Sequence, residues 1–186
     1  MDKTLLLYHS GYGHTRKIAE RIRARLVEKG MDVHAAALDD DSIDPFDYDR
    51  IILGASIRNG KHKPPVHDFI ERHKSLLEQR PSGFFSVNLV ARKPGKNTPE
   101  TNPYVQAFLE KCPWKPNLVG VFAGNLDYQR YSFMDRNIIR FIMWLTKGPT
   151  DPQTNVEFTD WDDVDRFAEA VAALGEPSMA RSKCRT

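Results

Sequence analysis

Cysteine is scarce in this chain. Its 186 residues include two, Cys112 and Cys184, far apart and neither part of a Cys-x-x-Cys pair. That excludes a disulfide framework and a zinc-finger spacing, and it fits free thiols in a reducing compartment. An excess of one charge is also missing: 27 Lys and Arg face 25 Asp and Glu, a formal +2. With no dense basic block ahead of the tail, no nucleic-acid partner is expected. No uninterrupted apolar run is long enough to cross a bilayer. Strand-like sequence begins almost at the first residue, so no signal peptide is expected. The three aspartates at 39–41 lack the glycine and glutamate of a calcium loop, and no metal is expected.

What is present is a globular composition, 40% apolar and 28% charged. The length suits one domain, read here as 1–174 with a polar tail at 175–186. The most informative stretch is Lys3-Thr4-Leu5-Leu6-Leu7-Tyr8-His9-Ser10-Gly11-Tyr12-Gly13-His14-Thr15. An apolar run stops at a loop of hydroxyls and glycines, and a helical pattern starts at once. Backbone N–H groups and hydroxyls at such a helix start make a site for a phosphate. A P-loop would need Gly-x-x-x-x-Gly-Lys-Ser/Thr, which is absent. A dinucleotide fingerprint would need a third glycine where Arg16 stands. Ser10 and Thr15, at the two ends of the loop, suit a terminal monophosphate. The alternative is an ordinary strand-to-helix turn with a hydroxyl cap.

Along the chain, apolar runs alternate with helical patterns, which predicts an α/β fold with a parallel sheet. Strands are expected at 4–8, 32–38, 50–54, 83–90 and 118–123. Helices are expected after Ser10-to-Thr15, from Pro64, from Tyr104 and after Asp160, with a short one in the acidic stretch that follows the second strand. A long insert, about 125–155, separates the fifth strand from a strand remnant at 156–158 and the last helix.

Five strands with a phosphate loop after the first resemble the flavodoxin-like superfamily: doubly wound, sheet order 2-1-3-4-5, ligand at the carboxyl ends of strands one, three and four. An insert interrupting strand five resembles the long-chain flavodoxins. Three strings sharpen the resemblance: Gly54-Ala55-Ser56-Ile57-Arg58; Phe85-Ser86-Val87-Asn88-Leu89-Val90-Ala91-Arg92-Lys93-Pro94; and Tyr128-Gln129-Arg130-Tyr131, followed at Asp135-Arg136 by a hydrophobic helix. Together they resemble the flavodoxin-type, quinone-dependent protoporphyrinogen oxidases.

That resemblance implies FMN as cofactor, protoporphyrinogen IX as electron donor, a membrane quinone (menaquinone or ubiquinone) as acceptor, and a place in haem biosynthesis. Because a flavin carries its own redox chemistry, no catalytic side chain is expected. Ser10, Gly11, Tyr12, Gly13, His14 and Thr15 are expected to hold the phosphate. Ala55, Ser56, Ile57 and Arg58, with Ser86, Val87, Asn88, Leu89, Val90 and Ala91, are expected around the ring system. Arg58, Arg92, Lys93 and Arg130 are candidates for the two propionates of the substrate, since a guanidinium pairs bidentately with carboxylate. Each could equally be a solvated surface charge.

The insert between Tyr128 and Lys147 carries Arg130, Arg136, Arg140 and Lys147 against one acid, Asp135. Phe133, Met134, Ile138, Ile139, Phe141, Ile142, Met143, Trp144 and Leu145 cover most of a helix circumference. Such a cationic, aromatic helix suits a bilayer surface and predicts a peripheral place on the cytoplasmic side of the inner membrane. Packing on its own domain or on a second subunit is the alternative. Two other functions stay open at this stage: an electron-carrier flavodoxin, and an FMN-dependent NAD(P)H:quinone reductase.

Overall fold

The computed structural model describes residues 2–175. Cys184 and the tail beyond Gly175 lie outside the described residues. Five parallel strands, β1 (Lys3–His9), β2 (Asp32–Ala37), β3 (Arg50–Ser56), β4 (Ser82–Val87) and β5 (Leu118–Phe122), form one sheet in the order β2-β1-β3-β4-β5. Helices α1 (His14–Glu28) and α5 (Trp161–Ala172) cover one face, and α2 (Pro64–Gln79) and α3 (Pro103–Lys111) the other.

Strand alternation sorts the core. Leu5, Leu7, Ile51, Leu53 and Phe84 pack with Val66, Phe69, Phe108 and Trp114 on the α2/α3 side. Leu6, Ile52 and Phe85 pack with Ile18, Ile22, Val164 and Phe167 on the α1/α5 side. Strands buried on both faces read as continuous apolar runs, as those of parallel sheets do. Gly54 pairs with Phe85 across the β3–β4 ladder, and a β-carbon on Gly54 would overlap the Phe85 ring. Helix α1 stops because Gly30 takes φ 81°, letting Gly30 N reach Val27 O and Met31 N reach Leu26 O.

Three expectations change. β4 ends at Val87 rather than at residue 90, and a 3-10 turn follows at Leu89–Arg92. The Asn88 side chain accepts from Ala91 N at 3.0 Å, which favours the turn over further ladder bonds. The short helix expected with the acidic stretch is a single 3-10 turn, Pro45–Asp47, capped by Asp44. The strand remnant, β7 (Asn155–Glu157), does not rejoin the sheet. It pairs antiparallel with β6 (Asn125–Asp127), so the insert is a hairpin set just beyond β5. Between the two arms stands α4 (Phe133–Leu145), started by Ser132, whose hydroxyl accepts from Asp135 N at 3.3 Å. Among the described residues, no helix is long and apolar enough to cross a membrane.

Candidate functional site

The carboxyl ends of β1, β3 and β4 converge as the strand order requires, because the order reverses beside β1. After β1 the chain folds tightly: Ser10 Oγ accepts from Gly13 N at 2.9 Å, and Gly13, at φ 88°, is the residue from which α1 starts. No side chain caps α1 and no acid stands in its first turn. The N–H groups of that turn therefore face an open end with a positive partial charge. Thr15 is buried there, 1% exposed.

After β3 the chain makes a two-residue hairpin, Arg58-Asn59-Gly60-Lys61. Arg58 N donates to Lys61 O at 2.9 Å, and Asn59 and Gly60 have φ of 51° and 79°. Asn-Gly is the pair that such a turn demands. Ile57 N donates to Val87 O at 2.9 Å, tying this loop to the end of β4.

The third loop rests on a buried polar chain. Asn88 Oδ1 accepts from Ala91 N and from Asn102 Nδ2, both at 3.0 Å, and Asn102 in turn caps α3. His62 Nε2 lies 3.1 Å from Ser86 Oγ beneath the same loop. Burial pushes the His62 imidazole down to about 3, so it stays neutral.

These loops and α4 enclose a cavity of about 490 Å³. Of the residues expected to hold a phosphate, Ser10, Gly11, Tyr12, His14 and Thr15 line it. So do Ser56, Ile57 and Arg58 from the second loop, and Val87, Asn88, Leu89 and Val90 from the third. Ala55, Ser86 and Ala91 do not: alternation along the strand and the 3-10 turn bury their side chains in the interior. Gly13 and Arg130 belong to a smaller, polar cleft of about 220 Å³ on the other side of Tyr12. There Arg130 Nη1 donates to Tyr12 O at 3.3 Å. Lys93 lines neither cavity.

Besides Arg130, which also pairs with Asp127 at 3.5 Å, two more of the candidate cations are already engaged within the fold. Arg58 Nη2 is ion-paired with Asp135 and donates to Tyr12 Oη at 2.7 Å. Arg92 is half-buried, and desolvation lowers its pKa. Its Nη1 donates to Leu89 O at 2.8 Å and its Nη2 to Thr146 Oγ1 at 2.9 Å.

Sequence reasoning missed the far wall. Ile138, Ile139, Ile142, Met143 and Thr146 of the α4 segment line the cavity with Tyr104, Asn125, Tyr131 and Asp135. Met143 is fully buried and Asp135 nearly so, 8% exposed. One signal for Asp135 was available: it is the one acid in an otherwise cationic segment. The opposite side of α4 is open. Phe133, Met134, Phe141, Trp144 and Leu145 are 78, 73, 59, 67 and 59% exposed. The Phe141 and Trp144 rings stack at 6.1 Å. Arg136 and Arg140 donate to the carbonyls of Tyr128 and Thr150, both at 3.0 Å.

Comparison with known proteins identifies relatives of this chain. The profile of the Flavodoxin domain family matches residues 5–153. A protoporphyrinogen IX dehydrogenase [quinone] from Leishmania major is 44% identical over 187 residues, covering 99% of this chain and 80% of that one. The protein of the same name from Escherichia coli K12 is 41% identical over 173 residues, 92% of this chain and 96% of that one. Among solved structures, flavodoxin 2 from Bacillus cereus superposes with a TM-score of 0.55 at 18% identity, covering 91% of this chain and 97% of that one. At that identity the likeness is one of fold.

Proposed function

Because the chain belongs to the flavodoxin-domain protoporphyrinogen IX dehydrogenases, we propose that it oxidises protoporphyrinogen IX to protoporphyrin IX and delivers the electrons to a quinone, as a step of haem biosynthesis. The cofactor is FMN. The observation that carries this reading is the single cavity that begins at the hydroxyl-lined start of α1 and continues under apolar walls. A monophosphate fits its polar end and a flat ring system its apolar end.

When bound, FMN supplies two-electron redox exchange. Protoporphyrinogen IX gives up six electrons and six protons, so each turnover to protoporphyrin IX reduces three quinones to quinols. The chain's own contribution is placement. Ser10, Thr15 and the N–H groups of the α1 start hold the phosphate. Ile57 and the Val87-to-Val90 turn hold the ring between two loops that share the Ile57–Val87 hydrogen bond. The α4 wall excludes water from the apolar end, where quinone and porphyrinogen meet the flavin.

A lipid-soluble acceptor calls for contact with a bilayer, and the outer face of α4 is the surface that suits it. Aromatic and aliphatic side chains there stand exposed beside Lys147 and the two carbonyl-bound arginines. Attachment is peripheral, through that one short helix, on the side of the membrane where the porphyrinogen is made.

The test is anaerobic. Protoporphyrinogen IX should bleach the flavin of the purified holoprotein, and a soluble quinone should restore it. Rapid bleaching by NADPH with none by protoporphyrinogen IX would replace this reading with a nicotinamide-dependent quinone reductase.

A further inference from the structure

We propose that Arg58 is a ligand of the flavin phosphate and that Asp135, from the insert, is the residue that positions it; this rests on the FMN reading above. The carboxylate Oδ2 of Asp135 gathers three donors. Arg58 Nη2 is paired with it, the Tyr12 hydroxyl donates at 2.7 Å, and the Ser132 hydroxyl donates at 2.8 Å. Those donors come from three separate segments: the hairpin after β3, the loop after β1, and the start of α4. The guanidinium also lies over the Tyr12 ring, 4.9 Å from its centroid. Its orientation is therefore held from two directions.

Only one nitrogen of the fork is used. Among the described residues, Nη1 makes no hydrogen bond, and it lies 3.8 Å from where a β-carbon on Gly11 would stand. It faces the loop that leads into the uncapped start of α1, where the phosphate is proposed to sit. A guanidinium held by a carboxylate on one nitrogen presents its other nitrogen with little freedom left to lose. Arg58 thus adds a charged donor, balanced by Asp135, to a site otherwise lined mainly by hydroxyls and backbone.

The reading distinguishes FMN from riboflavin, which shares the ring but lacks the phosphate. In fluorescence titrations of the full-length apoprotein, Arg58→Gln should weaken FMN by roughly ten- to hundredfold, the scale for a charged hydrogen bond, and leave riboflavin unchanged. Arg58→Lys, which keeps the charge without the fork, should fall between.

Asp135→Asn supplies the sharper arm. By charge alone, removing a carboxylate near a phosphate should tighten FMN. Positioning predicts the reverse, a loss confined to FMN. Tighter or unchanged FMN binding in Asp135→Asn, or an unchanged FMN-to-riboflavin ratio in Arg58→Gln, overturns the assignment while the cofactor reading stands. Wild-type protein that binds neither flavin overturns both.

Discussion

Arg92 and Thr146 tie the turn after β4 to the far wall of the cavity. The Arg92 guanidinium donates 2.9 Å to the Thr146 hydroxyl just past α4, and 2.8 Å to Leu89 O in the turn after β4. Arg92 also lines the cavity, and these two bonds make it a structural brace there. Arg92→Ala should lower the unfolding free energy by about 1–3 kcal/mol, since two bonds to a charged donor are lost. Amide exchange across 133–145 should quicken with it. A variant of normal stability and normal exchange, but with a raised requirement for porphyrinogen, would return Arg92 to the substrate.

Thr15 is 1% exposed and lines the phosphate end of the cavity. Thr15→Ala should weaken FMN by about 1–3 kcal/mol, the cost of one hydrogen bond to a charged partner. Titration of apoprotein measures it directly. Unaltered affinity would take the hydroxyl out of the site.

The outer face of α4 should bind anionic vesicles. Phe141, Trp144 and Leu145 would each gain up to about 1.5–3 kcal/mol if fully desolvated, so a partly inserted helix attaches reversibly. Salt should weaken the attachment by screening the basic groups. Changing all three residues to Ser should release the protein in co-sedimentation and slow turnover with long-tailed quinones. FMN binding should be spared, because the cavity is lined instead by Ile138, Ile139, Ile142 and Met143. Wild-type protein that never sediments with vesicles rejects the membrane face.

Acid should cost stability through His62. Burial holds the folded imidazole near 3, against about 6.5 when unfolded. The unfolded chain then binds the extra proton first, so stability is complete above that ordinary value and declines as pH falls toward 3. The loss should reach roughly 2 kcal/mol by pH 5. His9 and His14 are shifted down by burial as well and add to the same slope. His62→Gln should flatten the profile of denaturant unfolding against pH. An equally steep profile in that variant would place the sensitivity elsewhere.

Much of this was legible in the chain because it depends on local chemistry. The run into Ser10 and the helix after it follow from hydroxyls, glycines and apolar spacing. The end of β4 was not legible, because Val90 and Leu89 look like strand residues. It took Asn88, bonding to Ala91 N and braced by Asn102 from 14 residues onward, to turn the chain. The division of α4 was hidden for a different reason. When apolar residues cover most of a helix circumference, periodicity cannot say that Met143 faces inward and Trp144 outward. Partners supplied by Leu126, Tyr128 and Tyr131 decide it. Arg58 looked available for substrate because Asp135 lies 77 residues away in sequence.

The two arms of the insert close on each other. Phe158 N donates to Gly124 O at 3.1 Å, and the residue pairs from Asn125–Glu157 to Asp127–Asn155 run as a short ladder beside it. Entry and exit therefore occupy neighbouring points at the sheet's rim, and the five-stranded core neither gains nor loses a strand by carrying the insert. In architectural terms the segment is a cassette. Its removal with a two- or three-residue splice would spare the sheet but strip Arg58 and Arg92 of their partners Asp135 and Thr146, and its transfer to another flavodoxin asks that host for such partners as well as for a turn at the end of the fifth strand.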